Sequence, residues 1–345
     1  MEDTLGPDYD DSHRTFLQVL LAHSTLTFEE AQPILAAIFT ATGNHESEVR
    51  PDQITQEIFE AYIEVASEAA SMFDYEVRSI IHQVTKQRLY ALVNTHSDPQ
   101  TQLATVYSPE ELAFIKRVLD TMFDKFNTPR MEVLAVTEMQ AFKLARPRHQ
   151  RPSQIAGGEP TDPETPSTTP IDRGLKHSEV HSALRSLVDG GWFTKSRDGF
   201  YTLTPRSLME LRPWLVETYN DVAEADEWQR IKFCAACKEI VTIGLRCSEP
   251  DCVLRLHDMC QDAFWRAERS KNCPKCRTEW KGDRHVGERA VTMTESYRKG
   301  KMKRSGRRST LADDVIREAA EEDAEDDAEE EELDDDDDDD DDDES

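Results

Sequence analysis

The chain has 345 residues, of which 70 are Asp or Glu and 41 are Lys or Arg, for a net charge of −29. That length points to two or three domains. No apolar run approaches the 18 or so residues of a membrane span and no secretory signal opens the sequence, so the expectation is a soluble, intracellular chain with no membrane contact. The charge is placed unevenly: from Asp313 onward there are 24 acidic residues and one Arg, net −23, which leaves −6 for everything before them. Neither extreme basicity nor extreme acidity characterises that remainder.

Residues 1–12 are acidic with Gly and Pro and read as a disordered N-terminus. Helical periodicity then places Phe16, Val19, Leu20 and His23 on one side. Thr27 and Glu30 form a capping box for the next helix, with Pro33 tolerated early in it. A longer helix after Pro51 carries Ile54, Ile58, Ala61, Tyr62 and Val65 on one face. The stretch 73–87 spaces Val77, Ile80, Ile81 and Val84 for burial, and RLYALVNT with LATVYS, separated by SDPQT, read as a β-hairpin. Helices followed by a two-stranded wing outline a winged helix over 13–108. A helical bundle with one hairpin is the alternative.

A second winged helix is expected over 109–215. Ser108-Pro109-Glu110-Glu111 opens its first helix, and MEVLAVTEMQAFKLA continues in amphipathic fashion. Residues 146–174 are rich in Pro, Thr, Ser and Gly and read as a flexible insertion. Val180, Leu184 and Leu187 face inward on a helix that Gly190-Gly191 ends. Trp192–Thr194 and Phe200–Leu203 pair across SRDG, whose Asp-Gly is a hairpin signal. Reading DNA with such a domain calls for cations on the third helix. HSEVHSALRSLVDG offers only Arg185 against Glu179 and Asp189, and FDYEVRSIIHQVTKQR in the first domain is only slightly better. Protein docking is therefore the favoured role, with DNA contact weak or indirect. Residues 216–233 read as a connecting helix.

All seven cysteines lie between Cys234 and Cys276, and His257 falls among them. Eight ligands at four per tetrahedral ion make two zinc sites with none left over. Cys234/Cys237, Cys273/Cys276 and His257/Cys260 share a spacing in which two intervening residues let a tight turn aim both ligands at one metal. A disulfide framework is the competing reading, and the odd cysteine count argues against it. Spacing alone leaves open which ligands share an ion. Residues 281–312 read as a basic linker, with seven cations in the eleven residues 298–308: a nuclear address, a nucleic-acid patch, or a solvated stretch. Residues 313–345, with ten consecutive aspartates from Asp334, read as a disordered acidic tail that binds basic partners or merely solvates.

The ligand order, four cysteines, one histidine, three cysteines, resembles a RING finger over 234–280. That resemblance implies interleaving: Cys234, Cys237, His257 and Cys260 on one zinc, Cys247, Cys252, Cys273 and Cys276 on the other. Two winged helices followed by this module resemble the family of non-structural maintenance of chromosomes element 1, the RING subunit of the Smc five-six complex. The expected fold is thus α+β multidomain: tandem winged-helix domains, a small two-zinc RING-like finger and an acidic tail. By resemblance the winged helices dock a MAGE-type subunit and a kleisin subunit. The finger is then a ubiquitin ligase of the nucleus, chromosome-associated, serving DNA repair and recombination.

In RING ligases a conjugating enzyme docks on an apolar residue before the second ligand, an aromatic on the central helix and a Pro after the seventh ligand. A cation after the eighth ligand restrains ubiquitin. Those positions map to Ala236, Trp265 or Phe264, Pro274 and Arg277. The methyl of Ala236 departs from the pattern and implies weak docking. The competing reading has Trp265 in the core, Pro274 forming a knuckle and Arg277 solvated, and packing distinguishes the two. Besides a ligase, the sequence allows a non-catalytic zinc-stabilised scaffold of the same complex. It also allows a PHD-like histone reader, which Lys271 disfavours by standing where such readers carry an aromatic.

Overall fold

The computed structural model describes residues 9–42, 48–96, 106–147, 173–221, 228–303 and 311–321. Two stretches build one small fold in the same order. In the first, Asp10 caps α1 (Asp11–Ala22) by accepting from the amides of Ser12 and His13. Leu26 then bridges to Tyr90, and Thr27 and Glu30 close a reciprocal capping box at 3.2 and 2.9 Å. Helices α2 (Phe28–Thr42) and α3 (Gln56–Ser71) follow, and then the antiparallel pair β1 (Tyr75–Ile81) and β2 (Arg88–Asn94). In the second, α4 (Pro109–Asp120) runs through a π turn to β3 (Val136–Thr137). Thr137 and Gln140 close the same kind of box at the start of α5 (Glu138–Lys143). Helix α6 (His177–Asp189) and the hairpin β4 (Phe193–Lys195) and β5 (Phe200–Leu203) complete it. Strand β3 pairs with β5 as Leu26 pairs with Tyr90 of β2. Helix, strand, two helices and a two-stranded wing is winged-helix topology, made twice.

The cores explain the order. In the first domain Phe59 stands edge-on to Phe16 at 6.2 Å and to Tyr90 at 4.9 Å, with all three buried. Fully burying one such side chain stabilises by roughly 1.5–3 kcal/mol. Tyr90 and Leu92 turn to this core, whereas Leu89, Ala91 and Val93 turn the other way, onto Met209 of α7 (Pro205–Tyr219). Period-2 alternation thus gives β2 two buried faces. The first wing is the joint between the winged helices, and Arg78 of β1 adds a 2.8 Å bond to the carbonyl of Met209.

The third unit is a sheet of order β7-β6-β8, from β6 (Gly244–Arg246), β7 (Arg255–Leu256) and β8 (His285–Val286), with α8 (Gln261–Glu268) alongside. Gly244 is needed there because a Cβ would stand 2.4 Å from the carbonyl oxygen of Leu256. Helices α9 (Arg289–Thr292) and α10 (Glu295–Lys303) and a helical stretch at 311–321 then return to the second winged helix. Val291, Tyr297, Leu311, Val315 and Ile316 join its core, and Lys143 of α5 meets Asp313 at 2.5 Å.

Five expectations need correction. The partner of RLYALVN is not LATVYS, of which 103–105 lie outside the described residues and 106–108 form no strand; it is Tyr75–Ile81. The stretch 73–87 is accordingly the wing, and α3 is the third helix. The connecting helix fails: α7 ends at Tyr219, and 220–221 and 228–233 are not helical. Of residues 281–312, expected as a linker, the described 281–303 are built in, since β8 completes the third sheet and α9 and α10 follow it. Leu311, Ala312, Val315 and Ile316 are core residues on a helical stretch at 311–321, so the tail expected over 313–345 opens as packed structure. Of residues 1–12, read as disordered, Asp10 caps α1 and Asp11 and Ser12 open it, with Ser12 buried; residues 1–8, 148–172 of the insertion at 146–174, and 322–345 lie outside the described residues.

Candidate metal centre

Cys234 and Cys237 open the third unit on a tight turn, and Cys273 and Cys276 repeat it. In each the first carbonyl accepts from the amide four residues on: Lys238 to Cys234 at 2.9 Å and Arg277 to Cys273 at 2.8 Å. Both residues sit in the left-handed region, at φ 64° and 65°. The knuckles are structural twins. His257 and Cys260 follow β7 and lead into α8; Cys247 and Cys252 flank the turn between β6 and β7. The fold thereby collects Cys234, Cys237, His257 and Cys260 in one cluster and Cys247, Cys252, Cys273 and Cys276 in a second. Each has its four donor atoms within 4.8 Å of one another. The interleaved pairing implied by the resemblance is the one these distances make.

The donors fit a tetrahedral ion. Cys247 and Cys276 stand 3.4 Å apart and Cys252 and Cys273 3.5 Å, near the roughly 3.8 Å between thiolates of a tetrahedral site. His257 turns Nδ1 to Cys237 at 3.2 Å, while its Nε2 lies 3.2 Å from the carbonyl of Ile240. An Nε2–H donated to that carbonyl leaves the Nδ1 lone pair facing the thiols. Burial pushes the Cys247 thiol up to about 11 and the Cys260 thiol to about 12. At Cys234 burial acts the same way, but hydrogen bonds from His257 and the neighbouring amides outweigh it and bring the thiol down to about 6. Four crowded thiols ionise together only around a cation.

A second feature marks the second cluster. Glu132, from the loop before β3, is buried and is met by three buried cations. Arg255 donates from Nε to both carboxylate oxygens, at 3.0 and 2.9 Å, and from Nη2 to one of them. Lys232 and Arg246 stand 3.3 and 3.6 Å from the carboxylate. Burial opposes the Glu132 charge, but Arg255 and Lys232 outweigh it and hold the carboxyl down to about 2. Burial pushes Lys232 down to about 7 in spite of Glu132. Three cations on one anion leave a buried excess of positive charge, which is unfavourable unless compensated. Arg255 also donates to the carbonyl of Cys252, and Arg246 to that of Cys247. Four thiolates around a divalent ion carry the opposite excess, so a filled second cluster is what this interior is built to balance.

The first cluster meets the first winged helix. Gln83, in the turn of the β1–β2 wing, is buried; its side-chain amide donates to Ile240 at 3.0 Å and its oxygen accepts from Ile243 at 2.8 Å. Neither Glu132 nor Gln83 was singled out in the sequence. Of the residues that were, Ala236 and Pro274 are exposed on the two knuckles, and Phe264 and Trp265 are half-buried on α8. Phe264 packs edge-on to Trp265 at 4.9 Å, and Trp265 lies against Trp280 at 5.1 Å. Arg277 is exposed, and its guanidinium has no protein partner among the described residues.

These features define a class: a tandem winged-helix protein carrying a RING-like module with two four-donor metal clusters. The family described as "Nse1 non-SMC component of SMC5-6 complex" matches residues 13–211, spanning both winged helices. The RING-like domain family matches 234–276, from first ligand to last. The chain belongs to the Nse1 family. It is similar to the non-structural maintenance of chromosomes element 1 homolog of Xenopus tropicalis, 23% identical over 279 residues, 80% of this chain and 85% of that protein. The Homo sapiens homolog is 21% identical over 270 residues, covering 78% and 84%. The Schizosaccharomyces pombe protein is 24% identical over 217 residues, covering 62% and 74%. A solved chain from an assembly described as "Nse1-Nse3-Nse4 complex" shares the fold, with a TM-score of 0.58 at 18% identity over 80% of this chain and 99% of that one.

Proposed function

We propose that the chain is the Nse1-type subunit of an SMC5-6 complex and that its module, folded on two zinc ions, is a RING-type ubiquitin ligase. Sulfur and imidazole donors in fours suit zinc. The observation that carries the reading is the pair of twin knuckles, Cys234–Cys237 and Cys273–Cys276, on interleaved clusters held from both sides by the winged helices. They present Ala236, Pro274 and Arg277 to solvent, with Trp265 and Phe264 on α8 beside them. A ligase of this kind forms no covalent intermediate; it holds a ubiquitin-conjugating enzyme and its thioester in an attack-ready arrangement. Ala236, Phe264, Trp265 and Pro274 would dock that enzyme and Arg277 would hydrogen-bond ubiquitin.

The winged helices are docking surfaces in this reading. Helix α3 exposes Glu57, Glu60, Glu64 and Glu68 along one side and contains no Lys or Arg, which leaves phosphate no source of affinity there. The partners we assign are a MAGE-type subunit and a kleisin subunit, corresponding to the other two proteins in the description of the similar assembly. The setting is the nucleus, on chromosomes, in DNA repair and recombination.

The test is reconstitution with the MAGE-type partner and a panel of conjugating enzymes, read as ubiquitin-chain formation. Arg277→Ala should slow transfer about tenfold to a hundredfold, as expected for a charged hydrogen bond worth roughly 1.5–3 kcal/mol, with metal content and partner binding intact. The small methyl of Ala236 favours a second reading, a zinc-stabilised scaffold without catalysis. No transfer with any enzyme would establish it.

A further inference from the structure

A groove of about 820 Å³ runs beside α8, with no metal-cluster ligand in its lining. Its lining includes Trp265, Trp280 and four cations, Arg266, Arg269, Lys271 and Lys281, against one carboxylate, Asp262. None of the four cations has an ion pair among the described residues. The only side-chain bond they make there is from Arg266 Nε to the backbone carbonyl of Asp262, at 3.1 Å. The two indoles are the second observation. Trp280 is 92% buried, and the Nε1 atoms of both Trp265 and Trp280 are shielded from water with no acceptor. Trp280 Nε1 lies under the groove wall at Gly282, where a Cβ would be 3.7 Å away. The groove is thus a cationic surface over an indole floor, and carboxylates complement its charge.

We infer that this groove is a binding site for an acidic polypeptide segment and that its occupant is the chain's own C-terminal aspartate run. Residues 322–345 supply 20 carboxylates in 24 positions. The last described helix ends at Glu321, and 24 residues can span up to about 80 Å, enough to reach any face of a chain this size. Tethering puts the segment at an effective concentration in the millimolar range, so modest intrinsic affinity suffices. The cations of α10 are the competing destination. Lys299 and Lys301 are already paired with Glu295 and Asp198, however. Docking of the tail covers α8 and is relieved by salt or by a basic partner that draws the carboxylates away.

Full-length protein is compared with a chain ending at Glu321, using a fluorescent deca-aspartate peptide and metal content as the control for folding. The peptide should bind the shortened chain at least about tenfold more tightly than the full chain, whose groove is filled. The double substitution Arg266→Glu and Arg269→Glu, at exposed positions, should lower that affinity about tenfold or more. Carbodiimide coupling of the full chain should join Lys271 or Lys281 to tail carboxylates. Equal peptide affinity for the two chains, coupling only to Lys299, Lys301 or Lys303, or an affinity untouched by the charge reversal would each overturn the assignment. Binding of duplex DNA but not of the peptide by the shortened chain would make the groove a nucleic-acid site instead.

Discussion

The two metal clusters are held against their neighbours by different physics. The first, with three thiols and His257, meets the wing of the first domain through an uncharged contact, Gln83 on the backbone of 240–243. The second, with four thiols, meets the second domain through Glu132 and three buried cations. A neutral amide on backbone groups is satisfied locally and does not depend on the charge of the cluster beyond it. A buried excess of cations does. The orientation of the module on the second winged helix is therefore linked to metal in the second cluster, whereas its contact with the first wing is linked only to the shape of the 240–243 loop.

The largest effect should come from breaking one cluster at a time. A structural site of this kind contributes on the order of 10 kcal/mol to folding. Cys252→Ser and His257→Ala should each lose one metal ion by elemental analysis, but with different reach. Losing the second cluster removes the negative charge beside Arg246 and Arg255, so amide exchange should rise in β6, β7 and the loop around Glu132. Losing the first should raise exchange most near Ile240 and Ala235, with a smaller rise at the Glu132 contacts, which it reaches only through the Cys234–Arg255 bridge and the backbone of Lys232. If both variants give one exchange pattern, the two anchors are not separate.

Next in size is Glu132→Gln, which keeps shape and removes charge. Taking one partner from a buried ionic cluster costs about 3–5 kcal/mol, because three cations are then left together. Denaturant melts should show this loss with metal content still at two ions in the unstressed protein. The reverse change, Lys232→Met, should be far milder, since it removes one of the excess cations and a group already pushed down to about 7 by burial. Equal losses from the two would mean that packing, not charge, holds this face.

What the sequence allowed follows the same division. Metal ligands are legible because a knuckle is a local event: two residues between donors, with the following residue at φ of 64–65°, make half a site. Capping boxes at Thr27 and Ser108 are legible for the same reason. In the first wing β2 is legible as a strand, but its partner is not, because Val77, Ile80, Ile81 and Val84 in the stretch that forms β1 and the turn mimic helical spacing. Leu311, Val315 and Ile316 carried a helical pattern that the surrounding acids obscured. Glu132 and Arg255 are 123 residues apart and Gln83 and Ile240 are 157 apart, so no local pattern joins either pair.

The smallest effect expected is that of Gln83→Ala. Its side chain donates to the carbonyl of Ile240 and accepts from the amides of Thr242 and Ile243, the last only part-buried, and truncation leaves that carbonyl and those amides without their partner. An unsatisfied buried polar group costs about 1–3 kcal/mol, less if water enters the space vacated. A nearby cavity of about 330 Å³, lined by Ile80, Val84, Leu208 and Ile243 among others, makes that entry easy, so the loss should fall toward the lower end. Because no charge is involved, the loss should be insensitive to salt and additive with that of Glu132→Gln within about 0.5 kcal/mol. A double-mutant cycle read by denaturant melts measures this directly. A coupling of 1 kcal/mol or more would mean that the module communicates between its two anchors, and that the wing of the first domain senses the state of the second metal cluster.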